Sequence, residues 1–386
     1  MNKKKIALFH PWIKSWGGAE KVVLEILKSK KYDIDLYTWV YDEENTFQEF
    51  KKYKIHLLAP KFGKKLSKLH VLRGLFLPIS LFKKIPLEKY DLFLISTSGL
   101  AEFITFRNYK KGKTYAYCHT PLREANKKIV KWNFANRYEK NILKKYLYFA
   151  AVKIYRILEK QAWKKLDVII FNSELSKSRA EEHKLIRKQK THVIYPPINF
   201  SQFKKLKTKI GKHFVYISRL NPPKRQDLLI EAWKKFSNKN KGYKLILIGT
   251  PDNKKYYKEL LKLSEEDNSI EIKINVKNKE LEDLLRSSKA GIFLGYQEDF
   301  GIVPLEILAA GKPLLAIDEG GYVNVIKNHP LFYKIKEKHS RKEMVNEIVK
   351  RLENFVKEKQ KKTIKQIKIK NFRTEIDKIL EKEWKK

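Results

Sequence analysis

The sequence predicts an α/β protein of two doubly wound domains, each a parallel sheet covered on both faces. Three observations carry that prediction. Short apolar runs alternate with amphipathic stretches from one end of the chain to the other, the rhythm of strand–helix–strand units. The runs are apolar at nearly every position, as strands buried on both faces must be. The chain has 386 residues, more than one hydrophobic core usually serves, and a stiff Pro196-Pro197 pair divides the strand pattern near its middle.

In the first half, strands are predicted at residues 4–10, 34–39, 55–58, 91–97, 113–119, 167–173 and 191–196. After the first strand, Gly17-Gly18 forms a tight turn, and Val22, Val23, Ile26 and Leu27 follow at helical spacing. Such a turn is either purely structural or a phosphate cradle at a helix start. His119 ends a strand before a proline turn, where open α/β sheets bind ligands; from position alone it is equally a structural histidine. Cys118 faces the other way, so the two cannot pair as nucleophile and base, and Cys118 reads as a small core residue. Residues 133–165 read as a long basic helix whose aromatics belong to the core more often than to a platform for stacking nucleic-acid bases. Ser173 is a predicted N-cap.

The second half repeats the rhythm, with strands at 213–218, 244–249, 270–275, 291–294 and 313–318, and helices at 225–236, 254–266, 280–288 and 304–310. A hinge is expected within 198–212. Arg219 lies just past a strand end, and Lys224 follows a double proline and opens a helix. On a stiff loop, two such cations can neutralise a diphosphate; as easily they are solvated surface. Residues 295–313, GYQEDFGIVPLEILAAGKP, run from a strand end through an acidic turn into a helix with Pro304 in its first turn and Gly311 as its stop. Glu298 and Glu306 bracket seven residues, and the amides from Asp299 through Phe300, Gly301, Ile302 and Val303 offer donors near a helix N-terminus. A carboxylate beside an anion site fits a ligand carrying both phosphates and hydroxyls.

These segments resemble retaining glycosyltransferase family 4, most closely its mannosyltransferase-like members. The resemblance rests on the E-x7-E of Glu298 and Glu306, on SRL followed by KRQDLLIEA, on the GG-x-E of Gly17, Gly18 and Glu20, and on YCHTPLR around His119 and Arg123. It implies the GT-B fold: two Rossmann-like domains, residues 1–198 and 199–365, facing a central cleft, with a last helix within 366–386 crossing back to the first. It implies a metal-independent, retaining hexosyltransferase, with GDP-mannose as the first donor to consider. His119, Glu298, Arg219 and Lys224 would be catalytic. The donor would be held by Gly17, Gly18, Arg219, Lys224, Glu298, Asp299, Phe300, Gly301, Ile302, Val303 and Glu306, with Glu298 on the sugar and Glu306 on the ribose. Glu20, His119 and Arg123 would serve a glycan or lipid-linked acceptor. No cofactor and no metal is expected, since the family it resembles works without one. Two departures stand out: Asn324 replaces a family glutamate, and Ile274 replaces a family glycine near the nucleobase.

Composition bounds the partners. The net charge of +42 favours anions: phosphorylated substrates, acidic headgroups or nucleic acid. No zinc-finger, RNP or KH-type pattern is present, so no specific nucleic acid is expected. One cysteine excludes an internal disulfide framework. No signal peptide and no run of roughly 18 apolar residues is visible, which gives a cytoplasmic expectation, peripheral at the inner membrane face. Residues 69–82, flanked by lysines, read either as a membrane-interface segment or as a helix packed on the domain. Lysine-rich 357–370 is a solvated face or a headgroup contact. Competing functions are a same-fold sugar-nucleotide epimerase, a starch-type synthase and a basic nucleic-acid-binding protein.

Overall fold

The computed structural model describes residues 3–59, 81–123, 126, 142–198, 210–358, 367 and 369–384. The chain divides into two compact units, Met1–Pro197 with Ile369–Lys386, and Ile198–Lys368. Most of the hinge, of the 69–82 segment and of the 357–370 lysine run lie outside the described residues.

In the first unit the elements are β1 (Lys4–Phe9), β2 (Trp12–Ile13), α1 (Gly18–Leu27), β3 (Tyr32–Thr38), β4 (Val40–Tyr41), β5 (Ile55–Leu57), β6 (Leu92–Thr97), β7 (Thr114–Cys118), α2 (Ile142–Trp163), β8 (Val168–Phe171), α3 (Glu174–Glu182), β9 (Lys190–Val193) and α10 (Phe372–Trp384). Seven strands form one parallel sheet in the order β5-β3-β1-β6-β7-β8-β9. Alternate residues serve opposite faces, as the pleat requires. Ala7, Phe9, Phe93, Ile95, Ala116 and Cys118 pack with Trp163 and Ala180, whereas Ile6, Leu8, Leu92, Leu94, Tyr115 and Tyr117 pack under α1 and α10. Phe372, Ile376 and Leu380, at helical spacing on α10, complete that second face. The last helix therefore returns to the first unit, as the resemblance implies. Ser173 caps α3, its side chain accepting from the Ser176 N–H at 3.0 Å.

The second unit holds β10 (His213–Ile217), α4 (Gln226–Lys239), β11 (Lys244–Ile248), α5 (Lys254–Ser264), β12 (Ile270–Lys273), α6 (Asn278–Ser287), β13 (Ala290–Phe293), α7 (Ile302–Ala309), β14 (Leu314–Ile317), α8 (Val323–Ile326), β15 (Phe332–Ile335) and α9 (Arg341–Lys357). Its sheet is parallel, in the order β12-β11-β10-β13-β14-β15. One face packs Phe214, Tyr216, Leu245, Leu247, Ile292 and Leu315 against Trp233, Leu260, Ile348 and Leu352.

Three local expectations are corrected. β15 is an edge strand of four residues with two half-buried positions, and so lacks the continuous apolar run that marked the others. α7 begins at Ile302, two residues before Pro304, because Gly301 turns the chain at φ +84°; Pro304 then sits at a first-turn position whose N–H would have no helical partner. On α2, Trp163 is buried, but Tyr146 and Phe149 face solvent instead of the core.

Candidate active site

In each sheet the chain starts at a central strand, builds outwards on one side, then crosses to the other. The reversal falls between β1 and β6 in the first unit and between β10 and β13 in the second. Outside the carboxyl ends of such neighbouring strands the connecting loops diverge and leave a crevice, the usual ligand position in open α/β sheets.

At the second unit's reversal, the loops after β10 and β13 are tied to each other. Tyr216, fully buried in β10, donates its hydroxyl to the Lys224 carbonyl and accepts from the Leu294 N–H at 3.1 Å. The Tyr296 N–H donates to the Pro223 carbonyl at 2.8 Å. These ties bring Lys224 Nζ to 2.5 Å from Glu298 Oε2, with the two side chains 13% and 20% exposed. Lys224 Nζ also lies 5.3 Å from the centre of the Phe293 ring, a favourable cation–π placement. Arg225 holds the loop from behind. It adopts a left-handed backbone (φ 57°), and its guanidinium makes a two-pronged pair with Glu337 at 2.8 and 2.9 Å, 4.3 Å from the centre of the Tyr296 ring. A non-glycine residue in that conformation costs about 1–2 kcal/mol, which the bidentate pair and the stacking offset.

Glu298 sits in a turn that demands glycine. A Cβ on Gly301 would come within 2.7 Å of the Tyr322 ring and 3.2 Å of Glu298 Cγ. The Gly321 N–H donates to the Glu298 carbonyl at 3.0 Å, so the second glycine turn braces the acidic one. No side chain caps the N-terminus of α7 at Gly301. Asp299 is half-buried and Phe300 buried in the same turn, and Ile302 and Val303 open the helix. Glu306 lies in the second turn of α7, half-buried. The helix stops through Gly311 (φ +71°), whose N–H bonds the Leu308 carbonyl at 3.0 Å while the Lys312 N–H bonds Ile307 at 3.1 Å, a Schellman closure.

Arg219 departs from the pairing the sequence suggests. It is 62% exposed and directs Nη1 to Asp252 Oδ2 at 3.3 Å, while Lys224 turns to Glu298. The two cations share a loop but not a partner. The Gln226 amide fixes the base of that loop, donating to Ser218 Oγ at 2.8 Å and to the Arg219 carbonyl at 2.9 Å.

The first unit's reversal carries different chemistry. Ser96 Oγ, at the end of β6, lies 3.0 Å from His10 Nδ1 and 2.9 Å from His119 Nε2. His10 Nδ1 also lies 3.2 Å from the Ser96 carbonyl. A carbonyl only accepts, so His10 carries its proton on Nδ1. Ser96 can then give its one hydroxyl proton to His119 Nε2, the arrangement that leaves the proton of neutral His119 on Nδ1. Burial pushes His119 down to about 3, with the neighbouring His10 adding to the effect. Burial pushes His10 down to about 4 against the opposing contact with the Ser96 backbone. Both rings are neutral near pH 7, so His119 offers an N–H donor, not a positive charge.

Neither His10 nor Ser96 was singled out by the sequence pattern. His10 nevertheless repeats the signal of His119, a histidine ending a buried parallel strand just before a proline turn.

Gly17 and Gly18 open α1, with Glu20 in its first turn. The Glu20 carboxylate is buried and accepts from Ser15 Oγ at 2.6 Å. A Cβ on Gly17 would lie 2.3 Å from Glu20 Oε2, so the carboxylate folds back over this glycine. Arg123 follows the turn after His119, half-buried, its carbonyl accepting from the Asn126 N–H at 3.0 Å. The same turn is anchored to α2 where Glu159 accepts from the Leu122 N–H at 2.7 Å. Among the described residues no cluster of three or more His, Cys, Asp or Glu is arranged to hold a metal.

The two halves match two family models: Glycosyltransferase Family 4 over residues 16–202 and Glycosyl transferases group 1 over residues 198–370. The chain is similar to Alpha-1,3/1,6-mannosyltransferase ALG2 of Kluyveromyces lactis, 26% identical over 85% of this chain and 72% of that one. It is also similar to the human GDP-Man:Man(3)GlcNAc(2)-PP-Dol alpha-1,2-mannosyltransferase, 25% identical over 83% and 73%. Among solved structures, Anabaena Alr3699/HepE in complex with UDP and glucose superposes with a TM-score of 0.67 at 18% identity, covering 98% of this chain and all of that one. WaaG, a glycosyltransferase involved in lipopolysaccharide biosynthesis, superposes with a TM-score of 0.63 at 14% identity over 90% of each chain.

Proposed function

This chain is a glycosyltransferase with the GT-B fold, and from that premise we propose that it moves mannose from GDP-mannose to a hydroxyl of a lipid-linked glycan. The observation that carries the reading is the Lys224–Glu298 contact at the reversal of the second sheet, beside the uncapped start of α7. There a cation, main-chain donors and a carboxylate share one small volume. A diphosphate takes up the cation and the amides, and the sugar hydroxyls take up the carboxylate. The curated relatives named above are mannosyltransferases, one of them acting from GDP-Man on a PP-Dol-linked oligosaccharide, and they support this donor and this acceptor class.

In this reading the glycosidic bond breaks with positive charge growing on the sugar carbon and negative charge on the leaving diphosphate. Lys224 and the first-turn amides of α7 stabilise the leaving group. Arg219 leaves Asp252 to add a second cation at the solvent side. Glu298 orients the sugar, and Glu306 accepts the ribose hydroxyls, since an ionised carboxylate can take two donors at once. His119 donates from Nδ1 to a sugar or acceptor oxygen; a positive His119 facing the reaction is not part of the scheme. The anomeric configuration is retained, and the protein's cations do the work a divalent metal does elsewhere. The enzyme acts at the inner face of a membrane, drawn there by its +42 charge.

The test pairs donor and acceptor. The purified chain with GDP-mannose and a short lipid-linked oligosaccharide should yield a product heavier by one hexose in mass spectrometry, and the linkage by NMR should be α. Equal or faster transfer from UDP-glucose, or epimerised nucleotide sugar with no acceptor product, would overturn the proposal.

A further inference from the structure

We propose that α2 is the element by which the protein lies on an anionic bilayer, its outer face entering the headgroup layer. Val152, Glu159 and Ala162 turn inward, with Tyr148 and Tyr155 half-buried beside them. The opposite face carries Tyr146, Leu147, Phe149, Ile154 and Ile157, each between 55 and 70% exposed. From residue 146 to 157 the exposed positions are Tyr, Leu, Phe, Ala, Ala, Lys, Ile and Ile; Lys153 is the one charged member. This face is about 16 Å long at 1.5 Å per residue. A continuous apolar strip of that size on a soluble surface marks something that covers it.

Charge identifies the covering surface. Lys153, Arg156, Lys160 and Lys164 flank the strip or continue its line, and the helix has a single acidic residue, Glu159, which is buried on the Leu122 N–H. Every charge that the described side chains of α2 present to solvent is therefore positive. A second copy of the same face would set these cations against each other on chains of net charge +42. Nucleic acid could stack on Tyr146 and Phe149 but gains nothing from the aliphatic remainder of the strip, Leu147, Ile154 and Ile157. Acidic headgroups above acyl chains match both features: the aliphatic side chains enter the interface while the lysine stems keep their ammonium groups among the phosphates. No described helix is long and apolar enough to cross a membrane, so α2 lies along the surface. The Glu159–Leu122 bond joins α2 to the turn that follows His119, so a docked helix holds that turn at a fixed height above the lipid.

This deepens the membrane reading above but is independent of the sugar transferred, and its test needs no turnover. The full chain is sedimented with phosphatidylcholine vesicles, with and without phosphatidylglycerol. Wild type should pellet with the anionic vesicles and not with the neutral ones. A variant with Leu147→Glu, Ile154→Glu and Ile157→Glu should bind at least about tenfold more weakly, with unchanged circular dichroism, since all three positions are exposed. Transfer to a short water-soluble acceptor should be unaffected by that variant. Equal vesicle binding by the variant, equal binding of wild type to both vesicle types, or a wild-type dimer that the variant converts to monomer would overturn the proposal. Anionic docking by a chain that transfers no mannose would uphold the docking and sink the donor assignment alone.

Discussion

The two sheets reverse direction in the same way, and at each reversal the chain places a compact polar cluster, but the clusters are of opposite kinds. In the second unit it is ionic: Lys224 on Glu298, braced by Arg225 on Glu337. In the first it is neutral: two histidines joined through Ser96, both held uncharged by burial. Topology chooses where a ligand can sit, and the side chains choose what it can be. A site for a diphosphate needs countercharge, whereas a site for hydroxyls needs donors of fixed direction that do not compete for the phosphates.

That contrast breaks first at the ionic cluster. Lys224→Ala and Glu298→Ala should each lower kcat by about 10²–10³-fold, with the circular dichroism of the parent. Arg219→Ala, removing an exposed group paired to Asp252, should cost nearer tenfold in kcat/KM. If Arg219 proves as severe as Lys224, the division between an inner and an outer cation is wrong.

At the neutral cluster, His119→Ala should cost about tenfold to a hundredfold in kcat. His10→Ala should cost less, since it frees the Ser96 hydroxyl to rotate without removing the donor. A His119→Ala enzyme as fast as wild type would leave the cluster a purely structural one.

The next effect is on stability. The ordinary histidine value is 6.5, and the folded protein holds His10 to about 4 and His119 to about 3. Below 6.5 the unfolded chain binds protons that the folded chain refuses, so stability is full above 6.5 and declines as pH falls towards 4. Thermal unfolding between those limits should show this slope, flatter in His10→Phe. Transfer rate, in contrast, should show no inflection from His119 between about pH 5 and 8. A rate titration near 6.5 that disappears in the His119 variant would mean the ring is not kept neutral.

The smallest effect expected is none: chelation by EDTA should leave the rate unchanged, because the ionic cluster carries its own positive charge. Activity lost to EDTA and restored by manganese would transfer that role to a metal.

Both sheets were legible in the sequence because strands such as LFLIST and TYAYC are buried on both faces and read as unbroken apolar runs. β15 and the two-residue β2 and β4 were not, being too short to carry a pattern. Glu298, Lys224 and His119 were each legible singly, from strand ends, helix starts and family resemblance. Their partners were not. Lys224 meets Glu298 across 74 positions, and the ties through Tyr216 that bring them together are tertiary, with no local signature. Nor does spacing reveal that Glu20 folds back over Gly17, or that Arg225 can hold a left-handed backbone where glycine would do so freely. The aromatics of α2 misled in the opposite sense: composition resembles a core helix, and only the stripe of buried positions shows which residues turn away.

One feature of the first unit bears on how the protein is made. The sheet face under α1 is closed by Phe372, Ile376 and Leu380 of α10, and Glu383 of that helix pairs with Lys190 at 2.5 Å while its carbonyl accepts from the Tyr115 hydroxyl at 3.1 Å. On the ribosome the first sheet emerges with α1 on that face but without the cover of α10, and waits while the whole second unit is translated. At about 5–20 residues per second the wait is on the order of ten seconds or more. The core of the first unit is therefore completed only after the second unit has been made.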